Sequence, residues 1–192
     1  NLSVLLACHF GFAGTQFLIR EANAPEATLR AFRFPRLVRL LYKILYPQAQ
    51  SVICPSWAIS DRLAHEFSIP PERLQVLRNP VDVATIREIA KRDIPPEDGL
   101  VYVAAGRLTE QKGFDRLLDM FAELKKGSRL QILGDGPLKS SLRKQADALD
   151  ISDRVAFLGF KDEPWPYYAA ADAFVMPSRW EGMPNAALEA LA

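Results

Sequence analysis

Leu100-Val101-Tyr102-Val103-Ala104-Ala105-Gly106-Arg107-Leu108-Thr109-Glu110-Gln111-Lys112-Gly113-Phe114-Asp115-Arg116-Leu117-Leu118-Asp119-Met120-Phe121 begins as one kind of structure and ends as another. Residues 100–105 are a short apolar run closed by a glycine, the pattern of a strand buried on both faces. Phe114, Leu117, Leu118 and Phe121 then recur at helical spacing, which predicts a helix with one apolar side. The same rhythm repeats downstream. Residues 130–133 close on Gly134, residues 155–158 on Gly159, and residues 173–176 on Pro177. Short buried strands alternating with helices imply a parallel, doubly wound α/β sheet. In such a sheet every strand ends at the same edge, and that edge is where ligands bind.

The distinctive residues all follow those strand ends. Arg107 and Lys112 put two cations on one loop, a fork and a point charge suited to clamping a diphosphate. Gly134 and Gly136 let backbone approach a ligand closely, and Pro137 suits the start of the next helix. The last loop runs Trp180-Glu181-Gly182-Met183-Pro184-Asn185, with Pro184 expected as the first residue of a helix that carries Glu189. The amides of Gly182, Met183 and Asn185 would then be donors left unpaired at a helix start. Two carboxylates flanking such donors suit a ligand that is anionic at one point and rich in hydroxyls elsewhere, such as a sugar nucleotide. Each piece alone is also what an ordinary solvated loop looks like. Their meeting on one sheet edge favours a site.

Working outward, the rest of the chain narrows the class. The chain has 192 residues, 24 Lys and Arg against 23 Asp and Glu, and a net charge of +1. That balance gives no basic field for nucleic acid. Cys8 and Cys54 are far apart, and His9 and His65 are isolated, so no metal cluster and no disulfide framework is expected. Two free thiols fit a reducing, cytoplasmic compartment. No apolar run reaches the roughly 18–20 residues of a spanning helix. Residues 2–12 read as a buried crossover helix, residues 17–19 as a short strand, and residues 50–54 as the next one. Ser56 is a candidate N-cap for a helix to about Phe67. Residues 82–99 are polar and turn-rich and are expected to separate two domains. The chain looks cut at both ends.

Residues 32–46 carry a further signal. Phe34, Leu37, Val38, Leu41 and Leu45 fall on one helical stripe, with Arg36, Arg39 and Lys43 opposite. Pro35 suits the start and Pro47 the end. Residues 1–50 carry six basic and two acidic side chains, +4, leaving −3 for the remainder. A basic amphipathic helix of this kind can lie on an anionic membrane surface. It can equally pack its stripe on a sheet.

Gly106-Arg107-Leu-x-x-x-Lys112-Gly113, Gly134-Asp-Gly-Pro-Leu and Glu181-(seven residues)-Glu189, taken with Asn79-Pro-Val-Asp82, resemble glycosyltransferase family 4. The resemblance covers nearly the whole chain, and its ordered set of motifs is specific where single motifs are not. It implies the GT-B fold, α/β with two Rossmann-like domains and parallel doubly wound sheets. Residues 1–82 would be a partial acceptor-side domain, 83–99 a linker, and 100–192 the nucleotide-sugar-binding domain with its last helix cut short. It implies transfer of a sugar from a nucleotide sugar, with UDP as the favoured carrier, to a glycan or lipid-linked acceptor, with retained anomeric configuration and no cofactor or metal. Arg107, Lys112 and Glu181 would then be catalytic. Gly106, Gly134, Gly136, Phe160, Lys161, Gly182, Met183, Asn185 and Glu189 would bind the donor. Glu21 and Asn23 are acceptor-side candidates, although many relatives carry a His where this chain has Arg20-Glu-Ala-Asn23. The family's Gly-rich loop near the start of its first domain is absent here, so weak donor binding and poor turnover are expected of this stretch alone. An epimerase, a phosphorylase or a non-catalytic sugar-nucleotide-binding scaffold are the alternative readings.

Overall fold

The computed structural model describes residues 17–192 apart from residues 31, 96, 97 and 125. The expectations for residues 2–12, Cys8 and His9 lie outside these. The chain divides into two compact units, Asn1–Pro80 with Trp180–Met183, and Val81–Arg179 with Pro184–Ala192.

The first unit is built on a parallel sheet of β1 (Leu18–Arg20), β2 (Ser51–Cys54) and β3 (Leu74–Val76), with β2 in the centre. Its helices are α1 (Pro25–Arg30), α2 (Pro35–Leu45) and α3 (Trp57–Phe67). Ser56 caps α3 as its type predicts, its hydroxyl accepting from the Ile59 N–H at 3.4 Å. A three-ten turn, Tyr46–Gln48, follows α2 at Pro47. Val52, Cys54, Leu63, Phe67 and Tyr46 are fully buried between the sheet and α2 and α3. Burial and the nearby Glu21 charge push the Cys54 thiol up to about 11, so it is an inert core group.

Helix α2 corrects the expected stripe. Val38, Tyr42 and Leu45 face inward, while Phe34 and Leu37, both assigned to the buried side, are exposed. The reason is Glu21. Its carboxylate, at the end of β1, is 4% exposed and accepts from the Tyr46 hydroxyl and, at 3.2 Å, from the Tyr42 hydroxyl. A buried carboxylate without donors would cost several kcal/mol on the order of a lost ion pair. Two tyrosines therefore turn inward, their rings stacked 4.2 Å apart, and the helix rotates with them.

The second unit has the sheet order β6-β5-β4-β7, all parallel. The strands are β4 (Val101–Ala105), β5 (Arg129–Leu133), β6 (Val155–Gly159) and β7 (Ala173–Phe174). The helices are α4 (Val83–Ile89), α5 (Phe114–Ala122), α6 (Lys139–Ala148), α7 (Trp165–Ala170) and α8 (Asn185–Ala190). Phe114, Leu117, Leu118 and Phe121 are buried against Leu130 and Ile132, as their spacing predicts. The expected linker over 83–99 differs. Its first part is α4, capped by the Asp82 side chain accepting from the Thr85 N–H at 3.1 Å, with Ile86 buried and the Arg87 Nε donating to the Ala192 carbonyl at 2.6 Å. An Asp N-cap four residues before a buried isoleucine outweighs the turn-forming residues that follow the helix.

Tyr46→Phe keeps the stacked ring and removes one donor from buried Glu21. Denaturant unfolding should show a loss of about 1–3 kcal/mol with the slope unchanged.

Candidate functional site

The second unit's strand ends are sewn to one another by backbone. The Gly106 N–H donates to the Leu133 carbonyl at 2.9 Å, and the Gly134 N–H to the Gly159 carbonyl at 2.7 Å. Beyond them the Leu108 N–H donates to the Asp135 carbonyl at 2.9 Å, and the Leu138 N–H to the Leu108 carbonyl at 3.0 Å. Gly134 has a φ of +136°, and a Cβ there would overlap the Gly106 carbonyl oxygen. A Cβ on Gly136 would come within 2.5 Å of the Leu108 carbonyl oxygen. These two glycines are therefore required by loop-to-loop contact and not only by a turn.

Above this floor is an open cleft of about 540 Å³, within the usual range for small-ligand sites. Gly106, Arg107, Gly134, Phe160, Lys161 and Glu189 all line it. Those six residues were expected to hold one ligand, and the structure brings them to one place. Arg107 is exposed, and the Lys112 stem lies over Gly106 within van der Waals reach of a Cβ there. Phe160 is 71% exposed, an aromatic face with no core role. The Lys161 ammonium sits 5.6 Å from the Tyr167 ring centroid. The Glu189 carboxylate accepts from the Trp165 indole N–H at 3.3 Å, which fixes its rotamer at the wall. Burial, and then the Glu189 charge, raise the Tyr168 hydroxyl well above the ordinary range. The cleft thus lies at the ends of β4, β5 and β6, with α7 and α8 closing its side.

Other expected residues fall elsewhere. Gly136 packs beneath Leu108 and is not part of the wall. Asn185 begins α8, and Pro184 sits one position earlier as its N-cap. Glu181, Gly182 and Met183 belong to the first unit. There a Cβ on Gly182 would overlap the Ala22 carbonyl oxygen, and the Asn79 side-chain amide donates to the Met183 carbonyl at 3.1 Å. Asn79 also accepts from the Arg20 guanidinium at 2.6 Å. Among the acceptor-side candidates Asn23 is exposed, but Glu21 is turned into the core by the two tyrosines. Glu21 is thus a correction: its carboxylate serves the fold at this strand end.

Sequence reasoning missed the contribution of Asp135, Asp162, Pro164, Tyr168 and Ala186 to the cleft. It also missed Arg179. The Arg179 guanidinium forks onto Asp115, at 2.7 and 2.5 Å, and donates to the Glu110 carbonyl at 3.0 Å. The Arg179 N–H adds a bond to the Gln111 carbonyl at 2.8 Å, and a Cβ on Gly113 would overlap the Pro177 carbonyl. The turn that carries Lys112 is thereby fixed to the loop after β7. An Arg two residues before the Glu181 motif, and an Asp in the first turn after Lys112-Gly113, were the available signals. Their pairing depends on β4 and β7 being neighbours, which local pattern does not reveal. Among the described residues no group of His, Cys, Asp or Glu is placed to hold a metal ion.

The hydrogen bonds from Arg179 hold the Asp115 carboxyl below the usual range. A depressed folded pKa gives stability that is present above the unfolded value, near 3.9, and is lost as pH falls through the folded one. Asp115→Asn should therefore lower the melting temperature at pH 7, with the difference from wild type closing below about pH 4. Both side chains are partly exposed, so the effect is modest. Gly134→Ala should be more severe, because the clash is with backbone and the φ is left-handed. Circular dichroism melts on the two variants check both.

With this geometry in place, comparison with known proteins supplies the family. The family described as Glycosyl transferases group 1 matches residues 85–192, and Glycosyltransferase Family 4 matches residues 5–85. A Campylobacter jejuni N-acetylgalactosamine-N,N'-diacetylbacillosaminyl-diphospho-undecaprenol 4-alpha-N-acetylgalactosaminyltransferase is 33% identical, over 100% of this chain and 52% of its own length. The Rhizobium meliloti lipopolysaccharide core biosynthesis glycosyltransferase LpsE is 34% identical, over 84% of this chain and 47% of its own length. The chain thus spans about half the length of the curated relatives it matches. In structure it resembles Anabaena HepE, crystallised in complex with UDP-glucose, with a TM-score of 0.76 at 21% identity, covering 99% of this chain and 54% of HepE. At that identity the likeness speaks for the fold alone: parallel α/β units of the two-Rossmann GT-B class. The chain belongs to the glycosyl transferases group 1, with a family 4 first half.

Proposed function

We propose that the cleft at the ends of β4, β5 and β6 binds the nucleoside diphosphate of a nucleotide-sugar donor, and that the protein carrying this chain transfers the sugar to a glycan or lipid-linked acceptor with retained configuration. The observation that carries this reading is the exposed Arg107 on a backbone floor that Gly134 and Gly106 make flat. Around it stand an exposed aromatic face, Phe160, and a carboxylate held by an indole, Glu189. Arg107 gives a bidentate fork to the diphosphate, and Lys112 adds a charge from the same loop. Phe160 and Lys161 meet the base. Glu189 accepts from the ribose hydroxyls, its orientation set by Trp165. HepE crystallises with UDP-glucose, which favours UDP as the carrier.

In the chemical step the anomeric carbon–oxygen bond breaks toward the diphosphate. Negative charge grows on the leaving oxygen while the sugar becomes oxocarbenium-like. Fixed cations that face this charge lower the barrier without reorganising. The departing phosphate can take the acceptor hydroxyl's proton, so the reading requires no protein base, metal or cofactor. Glu181, with the Gly182, Met183 and Asn185 backbone, holds the donor sugar. An acceptor carried on a lipid would bring the protein to a membrane surface, and the relative whose acceptor is a diphospho-undecaprenol compound agrees with that.

The test is thermal stability against UDP, GDP, ADP and their sugar conjugates. A ligand at about 100 times its dissociation constant adds about 2.7 kcal/mol to stability. UDP should raise the melting temperature, and Arg107→Ala should weaken UDP by about ten- to hundredfold, the worth of hydrogen bonds to a charged group. Equal stabilisation of wild type and Arg107→Ala would overturn the placement of the diphosphate. In the full-length protein, Glu181→Gln should abolish transfer while UDP still stabilises the fold. Unimpaired transfer would remove Glu181 from the sugar site.

A further inference from the structure

Lys112 stands on a turn that the hydrophobic core does not hold. Leu108 before it and Phe114 after it are buried, but no side chain of the three-ten turn Glu110–Lys112 is. Two backbone bonds close the turn on itself. The Lys112 N–H donates to the Thr109 carbonyl at 3.1 Å, and the Gly113 N–H to the Glu110 carbonyl at 3.2 Å. The loop after β7 then ties the turn down on both sides of Lys112. The Arg179 guanidinium donates to the Glu110 carbonyl at 3.0 Å and forks onto Asp115 at 2.7 and 2.5 Å, while the Arg179 N–H donates to the Gln111 carbonyl at 2.8 Å. Gly113, at a φ of +68°, lies so near this loop that a Cβ would come within 2.2 Å of the Pro177 carbonyl oxygen. From the anchored turn the Lys112 stem runs over Gly106, 3.4–3.6 Å from the position of a Cβ there. Gly106 lines the cleft.

Stability does not account for so many bonds at one place. The Arg179 and Asp115 side chains are 26 and 40% exposed, and ion pairs at that exposure contribute little to folding. Each also neutralises the other, so the pair adds no net charge beside the cleft. What a bidentate fork supplies is geometry. Lys112 lacks that by itself, being a point charge on a flexible four-carbon stem. A cation lowers a barrier most when it is in place before the charge develops. A turn clamped at residues 110, 111 and 115, with the stem laid along Gly106, makes a mobile charge a fixed one.

We infer that Arg179 is a positioning residue for the diphosphate: through Asp115 and the Glu110 and Gln111 carbonyls it holds the Lys112 ammonium against the outer phosphate, whose bond to the sugar breaks. This rests on the donor reading of the cleft given above. Arg179 acts without touching the donor, so its loss is felt by the phosphate and not by the nucleoside. UDP carries the charge that the leaving group acquires, and its affinity therefore reports how well Lys112 is placed.

The experiment is a double-mutant cycle in the full-length protein, with Arg179→Lys, Lys112→Ala and the two combined. Dissociation constants are measured for UDP and for uridine. Arg179→Lys keeps the charge and the backbone bond to Gln111 and removes only the fork. It should weaken UDP by about tenfold. Uridine, which has no phosphate, should bind the variant as it binds wild type, and this also reports that the variant is folded. Because Arg179 acts through Lys112, the combined variant should lose no more UDP affinity than Lys112→Ala alone. Losses that multiply around the cycle overturn the inference, since Arg179 then acts independently of Lys112. Equal weakening of UDP and uridine overturns it by making Arg179 a general support of the cleft, and unchanged UDP affinity in Arg179→Lys overturns it outright. If Lys112→Ala itself leaves UDP affinity unchanged, the placement of the diphosphate fails and the inference falls with it, a result distinct from the other three.

Discussion

The contact on which the second unit depends is between two backbones. The Gly134 Cα lies so close to the Gly106 carbonyl that no side chain fits between them. That approach lets β4 and β5 end level, with the Gly106 and Gly134 amides consumed by Leu133 and Gly159. What rises above the floor comes from the loops, Arg107 from one, Asp135 from the next, Phe160 and Lys161 from the third, and from α7 and α8, which add Tyr168 and Glu189. A parallel sheet delivers strand ends to one edge. Two glycines turn that edge into a surface on which a ligand can lie.

Rigidity at the edge comes from different chemistry on its two sides. Between β5 and β6 it is backbone hydrogen bonding. Between β4 and β7 one backbone bond, from the Arg179 N–H to the Gln111 carbonyl, joins the loops, and side chains add to it. These additions are the Arg179–Asp115 fork and the Arg179 bond to the Glu110 carbonyl. A planar guanidinium can fork onto a carboxylate and serve a carbonyl as well, a bidentate geometry that lysine lacks. The turn that carries Lys112 is thereby held from behind by a cation whose own charge is neutralised.

In the first unit a single buried carboxylate sets the orientation of a whole helix. Glu21 needs donors, and Tyr42 and Tyr46 supply them. The consequence appears on the other side of α2, where four large apolar residues stand in solvent among arginines and a lysine. Local hydrophobic pattern and tertiary hydrogen bonding thus compete in one helix, and the polar requirement prevails.

The sequence by itself determined the elements and the edge. The strand cores, the Ser56 cap, the buried face of α5 and the placement of Arg107, Gly134, Phe160 and Glu189 beside one another follow from periodicity, punctuation and the geometry of parallel sheets. These are local or follow from strand direction alone. Only tertiary structure decided which way α2 turns, that Gly136 supports the floor without facing the cleft, and that Arg179 answers Asp115. Each of those depends on a partner more than about fifteen residues away or on which strands are neighbours, and a hydrogen bond's value is set by whether that partner arrives. Residue type announces the need for a partner; the fold chooses it.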